Sequence, residues 1–250
     1  MRPKKRFGQH FLRNRGAVAR IVAAVEPRPG EVIVEIGPGE GVLTEKLLEL
    51  APVVAIEIDR DLAPALQQRF GERLEIRNED ALEAAFPDRP YRAVGNLPYN
   101  VGTPILRRVV ADPNCTRAVF MLQKEVADRL VAKPGDEAYG YLTLYVQLFA
   151  SARTLMTLEP KSFYPPPKVR SAVVVLDPSR KPFASAELID LISTAFRMRR
   201  KTLVNNLAGW RNATRDDITR AVEAAGLDAR VRAEEVSLEQ FEKIRGELKT

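Results

Sequence analysis

Short apolar runs rich in β-branched residues, at 32–36, 53–58, 74–77, 92–95 and 118–122, alternate with stretches of helical periodicity at 41–50, 61–70, 103–110 and 124–131. Strands joined through helices pair in parallel by right-handed crossovers, which confines a chain of this kind to a doubly wound α/β sheet, a Rossmann-like architecture. Ligands of such sheets lie outside the carboxyl ends of the strands, where the strand order reverses. Two later runs, 153–158 and 169–176, read as strands that close the sheet around a proline-rich loop at 160–168. Beyond Pro178 the pattern changes, and 186–197, 202–207, 215–225 and 237–248 read as helices, with Thr214 and Asp217 as a capping box and Gly226 as a stop. The expected organisation is a sheet domain over residues 1–178 and a small all-helical domain over residues 179–250.

With 250 residues, 45% of them hydrophobic, the chain can bury one full-sized core and a small appended one. No stretch approaches the roughly 20 apolar residues that span a membrane, and no apolar run follows the basic N-terminus as it would in a secretory signal, so a cytoplasmic protein without a membrane partner is expected. One cysteine, Cys115, and one histidine, His10, exclude an internal disulfide and any metal centre built on several cysteines or histidines. No metal is therefore expected. The net charge of +6 is unevenly spread. Arg2, Lys4, Lys5, Arg6, Arg13, Arg15 and Arg20 stand before Val25 with no acidic residue among them, and Arg197, Arg199, Arg200, Lys201 and Arg211 form a second acid-free stretch. Both a polyanionic partner and plain solvated faces fit that pattern.

The segment Val34-Glu35-Ile36-Gly37-Pro38-Gly39-Glu40-Gly41 ends a strand in a glycine turn and opens a helix. Its G-x-G-x-G spacing, with Glu35 before it, differs from the G-x-G-x-x-G of nicotinamide and flavin proteins and suits a ligand lacking a pyrophosphate. Glu57, with Ile58 beside it, lies at the tip of the next strand, where a carboxylate can accept hydrogen bonds from both ribose hydroxyls of an adenosyl group. After the third strand Asp80 can accept from an adenine amine while Ala81 leaves space for the ring. Helix capping alone would also account for Glu57 or Asp80 singly, but the three strand ends in series describe a nucleoside pocket.

The fourth strand runs into Gly95-Asn96-Leu97-Pro98-Tyr99-Asn100. An adenine amine is a poor nucleophile because its lone pair is delocalised into the ring. Asn96 can accept one N6 hydrogen and the Leu97 carbonyl, pinned by Pro98, the other, which draws the nitrogen towards tetrahedral geometry and frees the lone pair. Tyr99 offers a face on which the base can stack, and Phe163, in the proline-stiffened loop, could cover the opposite face. Such a sandwich admits only an extruded or unpaired base.

Taken together these segments resemble the ribosomal RNA adenine N6,N6-dimethyltransferase family. The likeness extends through Lys5 to Leu12, the Glu35 to Gly41 turn, Asn96 to Asn100, Phe120 to Val126, Tyr139-Gly140, Phe163 to Ser171 and Arg199 to Thr202, and is closest to the bacterial small-subunit branch. The resemblance implies a class I methyltransferase sheet and S-adenosyl-L-methionine as cofactor, with His10 and Leu12 contacting its methionine part. At position 10 many members carry asparagine instead. It also implies the product, two methyl groups on each of two adjacent adenines in a hairpin loop near the 3′ end of small-subunit (16S) rRNA. The partner would be that RNA in a 30S or pre-30S particle, met by a monomer whose basic stretches and C-terminal helices dock it. A large-subunit (23S) rRNA dimethyltransferase and an assembly factor with secondary methylation remain as alternatives.

Overall fold

The computed structural model describes residues 9–179 and 181–248. Seven strands form one sheet: β2 (Val32–Ile36), β3 (Val53–Ile56), β4 (Leu74–Arg77), β5 (Tyr91–Asn96), β6 (Cys115–Gln123), β7 (Ala150–Leu158) and β9 (Ser171–Pro178), in the order β4-β3-β2-β5-β6-β9-β7. From β4 through β6 all neighbours are parallel, and β9 then pairs antiparallel with β6. Strand order reverses between β2 and β5, the switch point that the alternation of strands and helices leads one to expect. A separate ribbon pairs β1 (Phe11–Leu12) with β8 (Phe163–Tyr164).

Because β2, β3 and most of β5 are buried on both faces, they read as nearly continuous apolar runs rather than alternating ones, interrupted by the buried Glu35 and Arg92. One face of the sheet packs on α1 (Arg15–Val25) and α2 (Thr44–Leu47), through Ile21, Val25 and Leu47 against Ile33, Val94 and Val119. Helices α3 (Leu62–Phe70) and α4 (Gly102–Ala111) complete the crossovers. Several boundaries differ from the sequence reading, and two of them flank the strand ends that matter for the site. The strand expected over 53–58 stops at Ile56, and the helix expected over 41–50 shrinks to α2 with turns on either side. The cause of the second is local: Gly41 has φ +77°, which a helix cannot contain, and a Cβ there would stand 2.8 Å from Leu66 and Phe70.

Helix α1 was not anticipated, although Asn14 caps it by accepting from the Ala17 N–H at 3.0 Å. Nor was α6 (Tyr141–Phe149), whose nearly continuous apolar sequence has no clear helical stripe. The chain divides into two compact units, one of residues up to Ala127 with Ser151–Pro178, the other of Asp128–Ala150 with the chain from Ser179 onward. Residues 128–150, which the sequence reading assigned to the sheet domain, thus belong with the helices. The reason is packing: α6 lies against α7 (Ala186–Ala195) and α10 (Leu238–Glu247), and the Tyr139 hydroxyl donates to the Val236 carbonyl at 2.8 Å. Helices α8 (Leu203–Leu207) and α9 (Arg215–Ala224) complete that unit, α9 starting in the expected Thr214–Asp217 capping box. Helix α5 (Lys124–Val131) carries the chain from the first unit into the second. No helix among the described residues is long and apolar enough to cross a membrane.

Candidate active site

A cavity of about 350 Å³ opens at the carboxyl ends of β4, β3, β2 and β5. Four consecutive strand ends each deliver a group to it: Asp80 after β4, Glu57 after β3, Gly37 after β2 and Asn96 at the tip of β5. Of the residues singled out from sequence, His10, Gly37, Gly39, Glu57, Ile58, Asp80, Ala81, Asn96, Leu97, Pro98 and Tyr99 line it together. The strands can approach closely here because residue 95 is glycine; a Cβ would lie 2.4 Å from the Ile36 carbonyl oxygen of β2.

Glu57 is only 4% exposed. Its carboxylate accepts from the Gly39 N–H at 3.2 Å and the Asp59 N–H at 2.9 Å, which aims it along the glycine turn. Burial raises its pKa above the ordinary carboxylate value against the pull of these donors. The Asp80 side chain accepts from the Leu82 N–H at 2.9 Å, folding the chain after β4 into a turn. Arg108 of α4 secures that turn from below, donating to the carbonyls of Ala81 and Ala84 at 2.5 and 3.0 Å while its guanidinium lies 4.9 Å from the centre of the Phe86 ring. Nothing in the sequence marked Arg108, since a basic residue late in a helix is ordinary.

On the β5 side, the Asn96 Nδ2 donates to the His10 carbonyl at 2.7 Å. A carbonyl only accepts, so this contact fixes the amide's orientation and turns Oδ1 away from the N-terminal arm, residues 9–12. The Leu97 N–H donates to the Met121 carbonyl at 3.1 Å, while the Pro98 carbonyl receives the Gly102 N–H at 2.7 Å and starts α4. The Tyr99 hydroxyl shares a hydrogen bond with the buried Ser171 Oγ at 2.8 Å, and burial pushes the phenol pKa up. Ser171 was not assigned a role from sequence. The His10 ring stacks on Tyr99 with centroids 5.7 Å apart and planes at 28°, and its Nδ1 donates to the Pro165 carbonyl at 2.7 Å. Gln9 joins the same wall by donating to Asp59 at 3.0 Å.

Four expected site residues are placed elsewhere. Leu12 and Phe163 are buried in the hydrophobic core, Phe163 only 4% exposed, because β1 and β8 pair Leu12 with Phe163 and turn both inward. Phe11, not Leu12, reaches the cavity. Glu35 is 1% exposed beneath the glycine turn, accepting from Thr44 Oγ1 at 2.6 Å. Desolvation, aided by repulsion from Glu57, pushes its carboxyl up to about 7. Gly41 serves the packing of α3 described above. The basic residues Arg2, Lys4, Lys5 and Arg6 and the start of the Lys5 to Leu12 segment lie outside the described residues.

A glycine turn at the switch point with carboxylates at the next two strand ends defines a Rossmann-like methyltransferase that uses S-adenosylmethionine, and solved structures agree. The chain is similar to a dimethyladenosine transferase from Plasmodium falciparum (TM-score 0.83, 29% identity, 94% of this chain and 96% of that one). It is also similar to the 23S rRNA methyltransferase ErmE (TM-score 0.76, 27% identity, 96% and 100%). Relatives named ribosomal RNA small subunit methyltransferase A include those of Laribacter hongkongensis (45% identical, 96% of this chain and 93% of the relative) and Methylococcus capsulatus (45%, 96% and 95%). The sequence model of the ribosomal RNA adenine dimethylase family matches residues 1–249, and the chain belongs to that family.

Proposed function

We propose that this chain dimethylates the N6 amines of two adjacent adenines in a hairpin loop near the 3′ end of small-subunit rRNA, acting as a monomer on a 30S or pre-30S particle in the cytoplasm. The observation that carries the reading is the convergence of Asn96, Leu97, Pro98 and Tyr99 on the cavity that also holds Glu57 and Asp80. Relatives 45% identical over nearly the whole chain carry the small-subunit name, which favours the small-subunit target.

The cavity fits S-adenosylmethionine in its own chemistry. Glu57 and Asp80 are acceptors for the hydroxyls and amine of an adenosyl group, and Ile58, 44% exposed, is an apolar side chain that a flat ring would cover. Gly37 and Gly39 let backbone come close to the ligand, while Gln9, His10 and Phe11 wall the side towards the arm. When bound, the cofactor supplies an electrophilic methyl group on sulfur.

The protein's part is to make the adenine amine nucleophilic. Asn96 Oδ1 accepts one N6 hydrogen and the Leu97 carbonyl the other, so the lone pair leaves conjugation with the ring. Anchored by Ser171, the Tyr99 ring offers its face to the flipped base. No general base is needed, because the methylated nitrogen is a strong acid and releases its proton to water. The exposed Arg197, Arg199, Arg200 and Lys201, in the turn between α7 and α8, supply charge for phosphate contacts.

Incubating the protein with labelled cofactor and unmethylated small subunits, 50S precursors and DNA in parallel tests this reading. Dimethyladenosine recovered from the small subunits alone is the expected product. Labelling confined to 50S precursors or DNA would overturn the target.

A further inference from the structure

Strand β8 is only two residues long, and it turns its two aromatic side chains to opposite fates. Phe163 packs into the core, whereas Tyr164 is 57% exposed, one of few large apolar side chains so exposed among the described residues. The backbone that carries the ring is held in place. Tyr164 pairs with Phe11 in the ribbon, and Pro165, Pro166 and Pro167 follow it directly. Pro165 in turn accepts from His10, the residue stacked on Tyr99 inside the cavity. An exposed aromatic therefore stands one residue from a contact that lines the candidate active site.

Charge around it points to a ligand class. Lys161, Lys168 and Arg170 are exposed on the same loop, against one exposed carboxylate, Glu159. Arg13, exposed beside β1, is tied to the loop by its N–H on the Ser162 carbonyl at 2.8 Å, its side chain pairing with Glu40. An open π-face among cations, beside a cavity shaped for a base, has the makeup of a stacking platform for single-stranded nucleic acid. An extruded adenine leaves its neighbour unstacked, and that neighbour needs a new surface.

We infer that Tyr164 is a second stacking site, taking the unpaired nucleotide next to the adenine held at Tyr99, with Lys161, Lys168 and Arg170 along the intervening phosphates. This inference rests on the proposed function for the identity of the RNA. Tyr164 would thereby hold the loop splayed, and it acts on RNA affinity rather than on the amine.

Two measurements with Tyr164→Ala and Tyr164→Phe decide it. The first is KM for unmethylated small subunits and, separately, KM for the cofactor. The second is binding of a hairpin RNA carrying 2-aminopurine next to the target adenine, read by fluorescence quenching, which needs no methylation. Tyr164→Ala is expected to raise KM for the particle and Kd for the hairpin by roughly tenfold and to abolish the quenching, with kcat and cofactor KM unchanged. Tyr164→Phe should retain wild-type values. The inference is overturned if Tyr164→Ala binds and quenches the hairpin as the wild type does. It is also overturned if only the particle is bound more weakly, which would make the ring a contact for ribosomal protein, or if cofactor KM rises by the same factor, which would make it a loop support. Wild-type protein that binds and quenches the hairpin yet never methylates small subunits would instead refute the proposed function and leave Tyr164 standing as a stacking site.

Discussion

The two ends of the cavity are held in opposite ways. At the β3 and β4 end the acceptors are set by backbone: Glu57 by the N–H groups of Gly39 and Asp59, Asp80 by that of Leu82. At the β5 end the key groups are set by side chains and by the arm, Asn96 through the His10 carbonyl and Tyr99 through Ser171 and the His10 ring. The first end is held chiefly within the sheet and its turns. The second is complete only when residues 9–12 and the loop at 160–170 have closed over it. On the proposed function, one end takes the cofactor and the other the base, so the two can be probed by separate substitutions.

The contrast between the two ends gives the largest effect to Asn96→Ala. Losing the acceptor aimed at the amine should lower kcat by at least about a hundredfold, the scale seen when one preorganised hydrogen-bonding group is removed from a reacting centre. Cofactor affinity should stay within about tenfold, or ~1.4 kcal/mol. Single-turnover methylation and cofactor binding by calorimetry check the two halves, and undiminished turnover would show that the amine is activated elsewhere.

Glu57→Gln should act the other way round. The amide must oppose one of the N–H donors with its own NH2, and hydrogen bonds to charge contribute about 1.5–3 kcal/mol each, so cofactor Kd should rise at least about tenfold. The methylation rate at saturating cofactor should fall much less. A variant whose main loss is in saturated turnover would remove the division of labour between the two ends.

The same division decides how much the sequence disclosed. Strand tips and glycine turns are local, so Gly37, Glu57, Asp80 and Asn96 were legible from spacing alone. What joins the arm to the cavity is not local. Phe163 was expected on the base because an aromatic in a proline-rich loop looks available, yet its pairing with Leu12 across 151 residues of chain turns it into the core. Ser171 and Arg108 escaped notice because a serine opening a strand and an arginine near a helix end have no signature until the fold brings Tyr99 and Ala81 to them. Residues 128–150 were assigned to the wrong unit for a related reason: the apolar run of α6 says that it is buried, not against what.

Arg108 offers a smaller test at the cofactor end. Its guanidinium spans two carbonyls of the Asp80 turn, a geometry that lysine's single ammonium cannot copy. Arg108→Ala should raise Kd for the cofactor and the inhibition constant for free adenosine by about fivefold, near ~1 kcal/mol, with Arg108→Lys between it and the wild type. Turnover at saturation should not change. Equal inhibition by adenosine in all three proteins would separate Arg108 from the adenine pocket.

Glu35→Gln should have the smallest effect, and it appears in stability rather than activity. Burial holds the Glu35 carboxyl near 7 in the folded chain, against 4.5 as its ordinary value. Between those values the unfolded chain has released a proton that the folded chain keeps, so stability falls as pH rises through this window. Glu57, also raised by burial, contributes with the same sign, which means that a Glu35 substitution removes only part of the slope. Glutamine can still accept from Thr44 and carries no charge to desolvate. The melting temperature of the wild type should therefore drop between pH 5 and pH 8 by a few degrees more than that of Glu35→Gln, each kcal/mol corresponding to about 2–4 °C at this size. Cofactor KM should be the same in both, since Glu35 lies beneath the turn and not on the cavity wall. Parallel pH profiles would mean that the buried carboxyl is ionised throughout, and a raised cofactor KM would return Glu35 to the cofactor site.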